Sequence, residues 1–137
     1  MTAKTWAKVL PSLFVAEAVY AVIHRATGGE YGTFTHAHNA VIDVALATIW
    51  SAAALAVALR TFTLPLGIIG TTASVIHGTL FCLASSSPDG LPFLAAGPLI
   101  LVALIRSAPV WMSDEEEKAV HPMLAPLYKS TSNVGRS

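Results

Sequence analysis

The sequence predicts an all-α integral membrane protein with four transmembrane helices in an up-down bundle joined by short loops. Composition gives the first indication: of 137 residues 54% are hydrophobic and only 12% charged, too apolar for an ordinary soluble domain. The second is that the apolar residues gather into four runs, each of about 20 residues, the length that crosses a hydrocarbon core of about 30 Å. The formal net charge is zero and no long basic block occurs, so a nucleic-acid partner is not expected. The lipid bilayer is the expected surrounding, with other membrane subunits or self-association as the expected protein contacts.

The first helix is expected over 6–24, with Lys4 and Lys8 at its entrance and Pro11 within its first turns, where a missing N–H does least harm. Its beginning imitates a secretory signal, because two lysines, a short apolar run and the Ala16-Glu17-Ala18 triplet occur in that order. Hydrophobicity resumes at Val19, so the segment is read as a helix that stays. Glu17, Tyr20 and His24 recur at i, i+3 and i+7 and give it one polar stripe, and Gly28-Gly29 stops it.

The second helix, 37–60, has a chemical start and an apolar remainder. His36, Asn39 and Asp43 again fall at i, i+3 and i+7. A turn ending in Pro65 leads to the third helix, 65–85, whose small residues Gly67, Gly70, Thr71, Ser74 and Gly78 share a face with His77. Small residues let membrane helices approach closely, so this helix is expected to be the central packing member. Ser85 to Gly90 reads as a loop, and 91–112 as a fourth helix kinked at Pro98, with Arg106 snorkelling and Pro109 and Trp111 at the interface. The four helices make one domain, 1–112. Residues 113–137, which open on a capping-box pattern at Ser113, are expected to be a mobile cytoplasmic tail.

Lys4, Lys8, Arg60, Arg106, Lys118, Lys129 and Arg136 fall on one side of the four runs and only Arg25 on the other. The positive-inside rule therefore puts both termini on the cytoplasmic or an equivalent side. Threaded that way, Glu17 lies about 10 Å below His24, Asp43 the same distance below His36, and His77 about eight residues below Ser85. Ionisable groups in hydrocarbon face the bundle interior and one another. The expected catalytic or proton-carrying cluster is thus Glu17, Asp43 and His77, with a proton shared with His77 and with Tyr20, His24, His36, His38 and Asn39 nearer the outer mouth. Taken singly, His24, His36 and His38 read more simply as interfacial or capping residues.

Nucleotide-binding, serine-hydrolase and zincin motifs do not occur. A haem or transition metal is the cofactor class the histidines suggest. His24, His36, His38 and His77 are the candidate cofactor ligands, with His77 and His36 or His38 as an axial pair; His36 and His38 are the candidate metal ligands, able to share an ion only if His36 precedes the regular helix. Cys82 reads as a small buried hydrophobe. Three functions fit: a non-catalytic accessory subunit of a larger membrane complex, which asks least of the residues; a haem- or metal-binding redox protein; and an enzyme doing acid–base chemistry on a lipid or isoprenoid.

Overall fold

A computed structural model describes residues 1–31, 34–84 and 91–112, so the 85–90 loop and the 113–137 tail lie outside the described residues. Among the described residues are four α-helices: α1, Ala3–Ala26; α2, His36–Leu59; α3, Thr63–Ala84; and α4, Leu91–Trp111. Each is long and apolar enough to cross a membrane. Helix α1 packs on α2 and α4, and α3 packs on the same two, so the helices stand at the corners of a square. Helix α3 is one corner of that square rather than its centre.

Burial on each helix alternates steps of three and four residues. The inward positions are Leu10, Phe14, Glu17, Ala21 and His24 on α1, and Asn39, Asp43, Leu46, Trp50, Ala53 and Val57 on α2. On α3 they are Gly67, Gly70, Ser74 and His77, and on α4 Gly97, Ile100, Leu104, Ser107 and Trp111. This mean step of 3.5 is the heptad spacing of left-handed bundles, in which a narrow seam on each helix meets its neighbours. The small residues of α3 make that approach possible. A Cβ added at Gly70 would lie 2.6 Å from the Phe14 ring and 2.9 Å from Ala53 Cβ, and one at Gly67 would lie 2.7 Å from Leu104.

The helix ends differ from the sequence reading for local reasons. Thr2 caps α1 by accepting the Thr5 N–H at 3.3 Å, which starts the helix at Ala3. Pro11 is therefore an interior residue, and its missing N–H leaves the Ala7 carbonyl without the usual partner. Pro65 lies inside α3, as its third residue, where no intrahelical acceptor is required of it. Arg60 is the left-handed C-cap of α2, with φ 54°, and its N–H points to the Ala56 and Val57 carbonyls. Helix α4 continues through both Pro98 and Pro109.

Candidate functional site

The buried ionisable residues and Asn39 share the seam with the apolar core but keep to one half of it, while Thr63 and Ser107 are buried hydroxyls of the other half. From the end of the bundle where α1 meets α2 inward, Asn39, His24, Asp43, His77 and Glu17 are all at most 8% exposed. The other half is Leu10, Phe14, Ala53, Val57, Leu104 and Trp111. Trp50 marks the boundary. Its indole N–H donates to Ser74 Oγ at 2.9 Å and the Gly70 carbonyl at 3.1 Å, tying α2 to α3.

Two carboxylate–histidine pairs occupy the polar half. His24 Nδ1 donates to both oxygens of Asp43, at 3.1 Å each, and the Tyr31 hydroxyl donates to Oδ1 at 2.6 Å. His77 Nδ1 stands 3.4 Å from Glu17 Oε2, close enough for an ion pair. Yet Oε2 is fully buried and lacks an aligned hydrogen bond among the described residues, so the charges are near and the geometry is loose. Tyr20 lies between the pairs, with its ring centroid 6.0 Å from His24 and 5.5 Å from His77. Phe81 lies 6.0 Å from both, and Trp50 is 5.2 Å from His77.

The expected convergence of Glu17, Asp43 and His77 thus takes the form of two pairs in one aromatic-walled chamber. Asp43 meets His24, and His77 meets Glu17. Counting depth from helix ends had placed Asp43 level with Glu17. His24 is two residues before the end of α1 whereas Asp43 is seven into α2, so α2 begins higher than α1 ends by roughly 7 Å.

His24 is an interior group rather than part of a mouth. Its Nδ1 is committed to Asp43, and a Cβ at Gly29 would collide with its ring at Cδ2 and Nε2, so the Gly29 backbone covers its other edge. Gly28, at φ 72°, turns the chain into that position. Tyr31, only 2% exposed, was not foreseen as a site residue. Asn39 holds it by accepting the Tyr31 N–H at 3.1 Å while donating to the Phe34 carbonyl at 3.3 Å. Burial, and then the hydrogen bond to Asp43, push the Tyr31 hydroxyl well above its ordinary pKa. Tyr31 and Phe34 are the two aromatic residues of the 27–35 connection, and that was the available signal for Tyr31; for Trp50, it was the position seven residues past Asp43 on one seam.

His36 and His38 stand apart from this chamber. His36 is on the surface, its side chain 64% exposed and 3.9 Å from Glu30. His38 is exposed too, and its Nδ1 lies 2.8 Å from the Thr35 hydroxyl, which caps α2 by accepting the His38 N–H. Neither is brought to His77 as an axial partner, and among the described residues no three His, Cys, Asp or Glu side chains group closely enough to hold a metal ion.

The α1–α4 flank of the chamber faces the bundle exterior. Between α1 and α4 lies a groove of about 250 Å³, lined by Glu17 and Tyr20 on one side and by Leu13, Leu99 and Ile100 around them. Leu99 is 47% exposed beside it, so the groove reaches the surface that acyl chains would cover. Among all the buried ionisable side chains of the chamber, only Glu17 lines the groove.

No protein-family model matches the sequence, and comparisons with curated proteins and with solved structures likewise give no match.

Proposed function

We propose that this protein is a multi-pass membrane protein that transfers a proton to or from a lipid-soluble molecule lodged between α1 and α4, using Glu17 and His77. One observation carries the reading. Glu17 is paired loosely with His77 and lines the groove, whereas Asp43 has its oxygens engaged by His24 and Tyr31. A carboxyl group that is close to a base yet not locked into hydrogen bonds is suited to gain and lose a proton; one that accepts several bonds is suited to hold structure. The groove supplies apolar contact for an acyl or prenyl chain, with Glu17 and Tyr20 as its polar groups. In the orientation given by the lysine and arginine count, both termini are cytoplasmic and the chamber lies in the outer half of the membrane.

The accessory-subunit reading asks for a face that lipid alone would not cover. Exposed apolar residues occur on every helix, among them Val19, Val44, Ile76 and Leu101, and acyl chains suit all of them. Acid–base chemistry therefore takes precedence here.

The test is to purify the protein from its native membrane, extract bound apolar compounds and identify them by mass spectrometry. Wild type is expected to retain a prenyl or acyl compound, and in deuterium oxide to exchange one of its carbon-bound hydrogens. Glu17→Gln should keep the compound and lose the exchange; Leu99→Trp, which fills the groove, should lose the compound. A wild-type protein that retains no such compound, or exchange undiminished in Glu17→Gln, refutes the proposal.

A further inference from the structure

At the opposite end of the bundle, α1, α2 and α4 enclose a pocket of about 450 Å³ whose wall includes Lys4, Lys8, Arg60, Val57, Pro109 and Trp111. Three cations surround one space, and among the described residues no carboxylate stands within ion-pair distance of any of them. Like charges beside low-dielectric walls concentrate a positive potential that an anion would relieve. Arg60 reaches this space from the left-handed C-cap of α2, at φ 54°, in a turn where Phe62 is left-handed as well.

The rest of the lining is apolar, with two buried side chains at its floor. Val57 is 5% and Trp111 7% exposed, and the Trp111 indole donates to Ser107 Oγ at 2.9 Å. A rim of cations over an apolar floor, at the level where three membrane-length helices end, matches a headgroup with chains attached better than it matches a free ion. We propose that this pocket binds the phosphate of an anionic phospholipid, with Lys4, Lys8 and Arg60 around the phosphodiester and the acyl chains against Val57 and Trp111. Lysine supplies point charges, and arginine a planar fork for two phosphate oxygens.

The test uses the full chain in mixed micelles carrying equal amounts of dioleoylphosphatidylglycerol and dioleoylphosphatidylcholine, with bound lipid read by native mass spectrometry and thermal midpoints read alongside. Wild type should retain phosphatidylglycerol preferentially and gain thermal stability from it, while inorganic phosphate at the same concentration gives no gain. The preference should fall roughly fivefold for each cation removed. Arg60→Gly suits the left-handed turn and so keeps the fold while deleting the charge, Lys8→Gln provides a second deletion, and Arg106→Gln, an exposed cation outside the pocket, should leave the preference intact. Equal binding of the two lipids, an undiminished preference in the Arg60→Gly, Lys8→Gln double variant, or an equal stability gain from inorganic phosphate overturns the proposal.

Discussion

The Tyr31 hydroxyl donates a 2.6 Å hydrogen bond to Asp43 Oδ1, so a residue of the α1–α2 loop closes the polar end of the bundle. The contact depends on three local choices: Gly28 turns left-handed, Gly29 presses its backbone on His24, and Asn39 holds the Tyr31 N–H. Tyr31→Phe removes only the hydroxyl. Asp43 then keeps His24 but loses one donor, and the protein should lose about 1–3 kcal/mol, the cost typical of leaving a buried polar group short of a partner. Denaturant titration in detergent reads this directly; unchanged stability would mean that the loop does not close the bundle in solution.

Tyr31 also predicts alkaline behaviour. Burial and the Asp43 contact raise its pKa in the folded protein. The unfolded chain ionises this hydroxyl near pH 10, while the folded chain still holds the proton. The stabilisation is therefore complete below about pH 10 and declines as pH rises above it, because ionisation then favours the unfolded state. Thermal midpoints measured between about pH 8 and pH 12 should fall more steeply for wild type than for Tyr31→Phe. Parallel curves would remove Tyr31 as the source.

The seam predicts the outcome of filling it. Gly70→Leu forces a side chain into the space between the Phe14 ring and Ala53 Cβ, both fully buried, so the neighbours have no solvent to move into. Overpacking of this kind costs typically about 1–3 kcal/mol, and more where a helix must shift. Ser74→Leu adds the loss of the Trp50 hydrogen bond at the same interface. If both variants keep the wild-type melting temperature in detergent, close approach of α3 to its neighbours is not what holds the bundle.

Topology can be tested independently of the fold. In a Cys82→Ser background, Glu30→Cys and Thr61→Cys put single thiols at exposed positions on opposite ends of α2. With the termini inside, an impermeant maleimide should label the first in intact cells and the second only after lysis. The reverse pattern would invert the orientation and leave the four spans standing.

The four helices could be read from the sequence because length and apolar composition act locally: about 20 residues either span a hydrocarbon core or do not. Their ends were less legible, since a hydroxyl such as Thr2 lengthens a helix through polar Lys4 without leaving a trace in hydropathy. That Glu17, Asp43 and His77 would all be buried together was legible too, from the cost of an ionisable group facing lipid. Which histidine meets which carboxylate was not, because that depends on how far α2 stands above α1, and the loop sets the offset. His36 and His38 illustrate the same limit. Both follow from the pattern of polar residues at a helix start, but His36, although it shares the seam spacing of Asn39 and Asp43, lies on the surface with its side chain beside Glu30.

The two carboxylates should respond differently to the same substitution. Asp43 accepts from His24 twice and from Tyr31, so Asp43→Asn removes the charge that all three contacts use and turns part of the acceptor into a donor facing the His24 N–H. Stability should fall by about 3 kcal/mol or more, as is usual when one member of a buried, hydrogen-bonded ion pair is lost. Glu17 Oε2 makes no aligned hydrogen bond among the described residues, so Glu17→Gln sacrifices little bonding geometry. Its effect on stability should be the smaller of the two, because the ion-pair contact it loses, 3.4 Å from His77, lacks hydrogen-bond alignment. Proton exchange should follow the opposite order. Glu17→Gln should abolish it at the smaller cost in stability, whereas any exchange lost in Asp43→Asn should return in step with refolding at lower temperature. Equal stability losses in the two variants would show that both pairs are structural ties, and the division of labour between a locked carboxylate and a loose one would have to be abandoned.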